Sequence, residues 1–321
     1  MSSTDEIRTR VLVLSDTHNA LPDPPDGDIA YRWPLPKADV LLHAGDLTMN
    51  GMIDQHHKAL ELIRAVDAEL KIVIPGNHDL TLDREYYEEH GELHGPRPRY
   101  SETTLQEIQD LYTGQEAQEA NIVYMVEGTR TFTLSNGAKL TLYASAYQPE
   151  FWNWAFGYPR EVDRFNSHTE RRAGGVASDT KAENPVPDTG VDIMITHGPP
   201  LGILDRTSRG EDVGCKHLRR AVERCRPRLH VFGHIHEAAG GIRMDWSKKK
   251  SAGWFKKTTG IAEEIQHSDG KEIWDKMGRF YDASDLKTGE QTVLVNASIM
   301  SLQYRPEQSP WVVDLMLPSA T

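Results

Sequence analysis

A chain of 321 residues, 38% hydrophobic and 26% charged, can bury a sizeable core, and with no apolar run near the length of a membrane span it excludes a transmembrane protein. A formal charge of −12 argues against general nucleic-acid binding, which needs a basic field to displace counterions; an acidic protein that handles phosphate must bring cations with it. Only two cysteines, Cys215 and Cys225, and a polar start without a secretory apolar core set the expectation of a reducing, cytoplasmic location.

In chain order, Val11 to Leu14 form an apolar run that stops at Asp16 and His18. Four apolar residues in a row fit a strand covered on both faces, and a two-residue period puts Asp16 and His18 on one side of its end. Residues 20–38, with prolines at 22, 24, 25, 34 and 36, read as a surface loop. Residues 39–44 make a second strand that ends at Gly45-Asp46; His43 within it reads as a core histidine satisfied by hydrogen bonds, ahead of a ligand role. Residues 51–68 place Ile53, Leu60, Ile63 and Val66 near a helical repeat, and a third strand, 71–75, runs into Gly76-Asn77-His78-Asp79. Strand, loop, strand, helix, strand points to parallel strands with their C-terminal ends side by side.

Residues 82–118 read as acidic helix, with Ser101 or Thr103 as an N-cap before Leu105, Ile108 and Leu111. Residues 130–134 and 139–144 flank Ser135-Asn136-Gly137, a hairpin signal. Residues 147–160 carry Tyr147, Phe151, Trp152, Trp154, Phe156 and Tyr158 among Pro149, Gly157 and Pro159; any one ring reads first as part of a small core under the loop, but an irregular segment leaves some of them free to face a ligand. After a polar surface stretch to residue 190, a buried strand at 191–195 ends at Thr196-His197-Gly198. A short basic helix at 215–225 and a strand at 229–232 then lead to Gly233-His234-Ile235-His236. Residues 245–290, with Lys248, Lys249, Lys250, Lys256, Lys257, Trp246 and Trp254, read as a solvated loop and a peripheral insertion, ahead of a patch for an anionic partner. Residues 292–296 and 311–317 read as the closing strands. Without repeats or a long linker, residues 1–321 are expected to form one domain.

Two carboxylates, an asparagine oxygen and several imidazoles therefore recur at strand ends. This mixed N/O donor set suits Mn²⁺, Fe, Zn²⁺ or Ni²⁺ better than Ca²⁺ or Mg²⁺ alone, and it is large enough for two ions. The glycines before Asp46, Asn77 and His234 are read as permitting backbone conformations that turn a ligand back toward the metal.

In these motifs the chain resembles the calcineurin-like metallophosphoesterases, whose pattern D-x-H, G-D, G-N-H followed by D or E, H and G-H-x-H is complete across residues 16–236. Leu42-His-Ala-Gly-Asp46, Phe151-Trp-Asn-Trp-Ala-Phe156 and Gly233-His-Ile-His-Glu237 resemble most the branch that includes the animal metallophosphoesterase-domain (MPPED) proteins. The resemblance implies an α/β fold, a two-sheet sandwich flanked by helices, with metals at the C-terminal strand edges. It implies Asp16, His18, Asp46 and His236 on one divalent ion and Asp46, Asn77, His197 and His234 on a second, Asp46 bridging, with manganese favoured for activity. Such a pair clamps a phosphoryl group, activates a shared water as hydroxide and stabilises the leaving oxygen. His78 is implied as the catalytic imidazole at the leaving group, with Asp79 orienting its ring.

The expected activity is hydrolysis of a phosphodiester or phosphomonoester in a small, nucleotide-like molecule, with no membrane or general nucleic-acid partner. Asn19, Trp152 and Trp154 are the candidate substrate contacts, the two tryptophans stacking on a base or another flat leaving group. The rival expectation is a low-turnover, metal-dependent nucleotide-binding or regulatory protein.

Overall fold

The computed structural model describes residues 5–167, 182–249, 259–265 and 279–320. Strand β1 (Glu6–Leu14) sends its residues alternately to two apolar layers, which is why its sequence is apolar at every position near the end. Val11 and Val13 enter the layer between two sheets; Leu12 and Leu14 face helices on the outside. Beside β1 run β2 (Val40–Ala44), β3 (Leu70–Ile74) and β4 (Ile122–Tyr124), each parallel to its neighbour. On its other flank lies β15 (Trp311–Pro318), antiparallel, then β13 (Arg279–Asp282) at the edge. Buried Asp314 of β15 takes hydrogen bonds from Arg8 at 2.8 Å and Arg10 at 2.7 Å, tying β15 to β1.

The second sheet has the order β12 (Thr259–Glu264), β11 (Gly240–Lys249), β14 (Gln291–Asn296), β10 (Leu229–Phe232), β9 (Ile193–Thr196), β6 (Lys139–Ser145), β5 (Glu127–Thr133). Its hairpin, β5 and β6, turns at Asn136-Gly137, with Gly137 at φ +88° as the Asn-Gly signal requires. Parallel neighbours β6, β9, β10 and β14 make its centre. Strands β11 and β12 complete it antiparallel, and β7 (Gln148–Pro149) pairs with β8 (Gly157–Tyr158) apart from both sheets.

Helices cover the outer faces. Helix α1 (Ile53–Ala65) packs Leu60 and Ile63 against the first sheet, next to Leu105 and Ile108 of α3 (Glu102–Thr113). The acidic stretch after residue 82 is helical but broken: α2 (Arg84–His94) stops at Gly95, α3 starts on its Ser101 cap, and α4 (Gln115–Glu119) follows Gly114. On the second sheet, α5 (Lys216–Cys225) buries Leu218, Ala221 and Val222 against Met194 and Phe232. The result is the expected two-sheet α/β sandwich. None of the described helices is long and apolar enough to cross a membrane.

The reading of residues 245–290 as a solvated loop is corrected for the parts the structure describes. Ile242, Met244 and Trp246 are buried, alternating with Arg243, Asp245 and Ser247, so β11 runs on through residue 249. Trp246 donates to Thr292 Oγ1 at 2.8 Å and belongs to the core. Residues 259–264 and 279–282 are edge strands of the two sheets. Residues 250–258 and 266–278, with Lys250, Trp254, Lys256 and Lys257, lie outside the described residues.

The two sheets meet where their parallel strands end. Ser15, just past β1, forms a bridge with Ser298, just past β14; Ser15 N–H donates to Ala297 O at 3.0 Å and Ile299 N–H to Ser15 O at 2.9 Å. All the strand-end motifs open onto this seam.

Candidate functional site

Past their strands, the chain turns back through left-handed backbone at Asp16 (φ 52°), His18 (φ 42°), Asn19 (φ 70°), Asp46 (φ 55°) and His234 (φ 69°). Side-chain-bearing residues adopt this region rarely, and such outliers gather where geometry serves function. Here the turned-back loops hydrogen-bond to one another: Asp16 N–H to Gly45 O, His18 N–H to Asp46 O and Asn19 N–H to Leu47 O, at 2.9 to 3.0 Å.

Two donor groups form. Asp16, His18, Asp46 and His236 make one and Asp46, His197 and His234 the other, each with ligand-type atoms within 4.8 Å of one another. Asp46 belongs to both. Its Oδ2 lies 3.5 Å from His18 Nε2 and its Oδ1 lies 3.4 Å from His197 Nε2, so its two oxygens face the two groups separately. Asn77 Oδ1 sits 2.9 Å from His197 Nε2, placing it with the second group. His236 Nε2 is 3.3 Å from Asp16 Oδ1, and Asp16 also accepts from His234 N–H at 3.0 Å and Ser298 Oγ at 2.7 Å.

Three imidazoles are fixed from behind by carbonyls: His18 Nδ1 by Thr48 O (2.9 Å), His197 Nδ1 by Ala44 O (2.9 Å) and His236 Nδ1 by Ser301 O (3.2 Å). A carbonyl only accepts, so Nδ1 carries a hydrogen and Nε2 faces the centre, the arrangement of metal-ligating histidines. At His236 burial works to lower the ring, but the neighbouring Asp16 carboxylate outweighs it and raises the ring above the usual imidazole range, so a cation there would displace the Nε2 proton. Burial pushes His18 and His197 below the usual imidazole range and His234 down to about 3, keeping them neutral. Asp46 is pushed the other way, by burial and then by the charges of Asp16 and Asp79. Imidazoles, three of them held neutral by burial, converging on two crowded, buried carboxylates are a donor set that fits divalent cations.

The motif glycines serve the end read in the sequence only at Gly45. Gly45 does have φ +97°, but the backbone at Gly76 and Gly233 is ordinary; what matters there is room. A Cβ on Gly76 would stand 2.3 Å from Asp46 Oδ1, and one on Gly233 would stand 1.9 Å from Asp16 Oδ2.

His43 and its counterpart His230 are core histidines. Each is fully buried and bonds a threonine of the neighbouring strand end, Thr17 and Thr196, at 2.9 Å. His78 opens onto the cleft, with Nδ1 2.7 Å from Met49 O and Nε2 3.4 Å from the Tyr304 hydroxyl. Asp79 does not orient the His78 ring, which corrects the expectation. It is fully buried and accepts from Gly76 N–H, Leu47 N–H, Thr48 N–H and Thr48 Oγ1, at 2.8 to 3.1 Å. By locking residues 47–48 it places the next carbonyl, that of Met49, and so acts on His78 at one remove.

The substrate-contact candidates are likewise redistributed. Trp154 stacks on His78 at 4.1 Å and on His94 at 4.0 Å. Two rings that close to one centroid cannot share a face without overlapping, so both faces of Trp154 are taken and it buttresses His78 instead of receiving a base. Trp152 is 76% exposed and is not among the residues lining the cleft. Asn19 Oδ1 accepts from Met49 N–H at 2.9 Å, bracing the same loop. The aromatic residues that do line the cleft, a space of about 280 Å³ over Asp46, Asn77 and His78, are Phe151 and Tyr304. Sequence reasoning missed Tyr304 because it lies far from any motif, in a polar loop with no periodicity. A larger cavity of about 920 Å³, walled by Asp83, Glu127 and Asp163, holds none of the two donor groups, so the smaller cleft is the candidate site.

The description calcineurin-like phosphoesterase belongs to the family model that matches residues 9–238. Metallophosphoesterase domain-containing protein 1 of Homo sapiens is 31% identical over 312 residues, covering 97% of this chain and 72% of that protein. A UPF0046 protein of Caenorhabditis elegans is 32% identical over 221 residues, 67% of this chain and 50% of its own. A protein of Emericella nidulans named probable rhamnogalacturonate lyase C is 33% identical over 247 residues, 76% of this chain but 18% of that protein.

Proposed function

This chain belongs to the calcineurin-like phosphoesterase family, and from that premise we propose that it is a dinuclear-metal phosphoesterase that hydrolyses phosphodiester or phosphomonoester bonds in small, nucleotide-like substrates. The single observation that carries the reading is Asp46, whose two oxygens face two separate donor groups. Asp16, His18, Asp46 and His236 would hold one ion and Asp46, Asn77, His197 and His234 the other. The donor chemistry suits Mn, Fe, Zn or Ni, and manganese is the metal we expect to support activity. Two bound ions supply an activated water and charge stabilisation for an in-line displacement. Two buried, unpaired cysteine thiols support a reducing, cytoplasmic setting.

The chain's own groups then do the positioning. Burial lowers His78 to about 4, so its ring rests neutral with the hydrogen on Nδ1 toward Met49 O. An anionic phosphoryl oxygen beside Nε2 favours the protonated ring, which holds that proton next to the leaving oxygen. Trp154 keeps the ring from swinging away, and Asp79 keeps the Met49 carbonyl in place.

The test is a panel of cyclic nucleotides, nucleoside monophosphates and aryl phosphodiesters assayed with several metals, in the wild type and in His78→Ala. The variant should retain both ions by elemental analysis while turnover falls roughly 10²–10⁴-fold, the usual worth of a positioned acid or base. Metal loss in His78→Ala would contradict the assigned role. Tight nucleotide binding with negligible wild-type turnover on the whole panel would instead select the regulatory reading.

A further inference from the structure

Tyr304 closes the open side of the site. It is 42% exposed, whereas the side chains of both donor groups are buried or nearly so. Its ring meets the imidazoles of His18 and His236 edge-on, at 5.0 and 5.2 Å, and its hydroxyl reaches to 3.4 Å from His78 Nε2. The ring thus leans on one donor group while the hydroxyl stands beside the loop that carries Asn77, in the other. A phosphoryl group bound at the two groups would occupy the cleft that Tyr304 lines together with Asp46, Asn77 and His78.

The backbone is held to this purpose. Tyr304 has φ 55°, a left-handed conformation that bulky side chains rarely adopt and that a glycine would accept without strain. Its turn is closed by Tyr304 N–H to Ser301 O (2.9 Å) and Ser301 N–H to Arg305 O (2.8 Å). The same Ser301 carbonyl fixes His236 Nδ1, so the turn that orients a candidate metal ligand also aims Tyr304.

The present partner of the hydroxyl is a weak one. Met49 O can only accept, so the His78 hydrogen sits on Nδ1 and Nε2 is the acceptor to which the Tyr304 hydroxyl donates. At 3.4 Å it is long for a hydrogen bond to nitrogen. An anionic oxygen arriving in the cleft accepts the same hydrogen about twice as strongly. Resting on the phosphoesterase reading, we infer that Tyr304 is a substrate-contacting residue: its hydroxyl leaves His78 and donates to a non-bridging phosphoryl oxygen, freeing Nε2 of His78 for the leaving group.

Tyr304→Phe tests this, since it keeps the ring contacts and removes only the hydroxyl. Inorganic phosphate is the probe, titrated calorimetrically into manganese-loaded protein. The variant should bind both ions as the wild type does and bind phosphate roughly ten- to hundred-fold more weakly, the worth of a hydrogen bond to a charged group. In the metal-free protein, the ¹⁵N resonance of His78 Nε2 should shift on loss of the donated hydrogen bond. Equal phosphate affinity in the two proteins, or an unmoved His78 resonance, would overturn the assignment and leave the phosphoesterase reading intact. A wild type that binds manganese but neither binds phosphate nor cleaves any phosphoester would overturn that reading, and this assignment with it.

Discussion

Asp46→Asn should abolish binding of both ions together and lower turnover by roughly four orders of magnitude or more, equivalent to about 5.5 kcal/mol of lost transition-state stabilisation. The expectation follows from the sharing. An amide keeps one acceptor oxygen but removes the charge, and each donor group counts the Asp46 carboxylate among its members. The first group would keep one carboxylate, Asp16, while the second would keep only Asn77 and neutral imidazoles. Asp46 Oδ1 also accepts His78 N–H at 2.9 Å, so an asparagine that turned its NH₂ there would push the His78 loop outward as well. Elemental analysis of the purified variant checks the first part, and steady-state hydrolysis of an aryl phosphodiester checks the second. Loss of one ion with the other retained would show that the two groups are independent.

Gly233→Ala should be nearly as damaging, although it adds one methyl group and removes no ligand. The new Cβ would stand 1.9 Å from Asp16 Oδ2, 2.1 Å from Ser15 Oγ and 2.8 Å from Ser15 Cβ. Asp16 cannot step aside cheaply, because it is tethered by His234 N–H and Ser298 Oγ, and although the Ser15 hydroxyl is free to rotate, Ser15 Cβ is fixed by a backbone bridged to Ser298 where the sheets meet. Overpacking of this kind costs roughly 1–3 kcal/mol, which a folded protein survives, but relief requires Asp16 to leave its place. The expected result is a folded protein with a modestly lowered Tm, impaired metal binding and turnover reduced at least about 10³-fold, a loss near 4 kcal/mol in the barrier. Gly190→Ala is the control: Gly190 has φ +84° and open space around its missing Cβ, so it pays backbone strain without touching the site. Equal losses of activity in the two variants would refute the packing argument.

What the sequence disclosed and what it concealed divide along the range of the interactions. Asp16, His18, Asp46, Asn77, His197, His234 and His236 were legible because each follows an apolar run by one to four residues, and parallel strands carry such positions to one edge. Trp154 was noticed but misplaced, since nothing local says that its faces are filled by His78 and by His94 of a distant helix. The role of Asp79 was hidden for the same reason: its acceptors serve backbone N–H groups some thirty residues away. Tyr304 had no local signal at all. Strand β11, by contrast, was legible and missed, because Ile242, Met244 and Trp246 alternate correctly but the lysines after them drew attention to charge.

Whether two ions share Asp46 is tested most directly by titration of metal-free protein with Mn²⁺, with bound metal and hydrolysis of an aryl phosphodiester followed in the same samples. Two ions per chain are expected, with turnover that rises steeply as the second site fills. Saturation at a single ion, or full metal loading with no turnover, would contradict the dinuclear phosphoesterase reading.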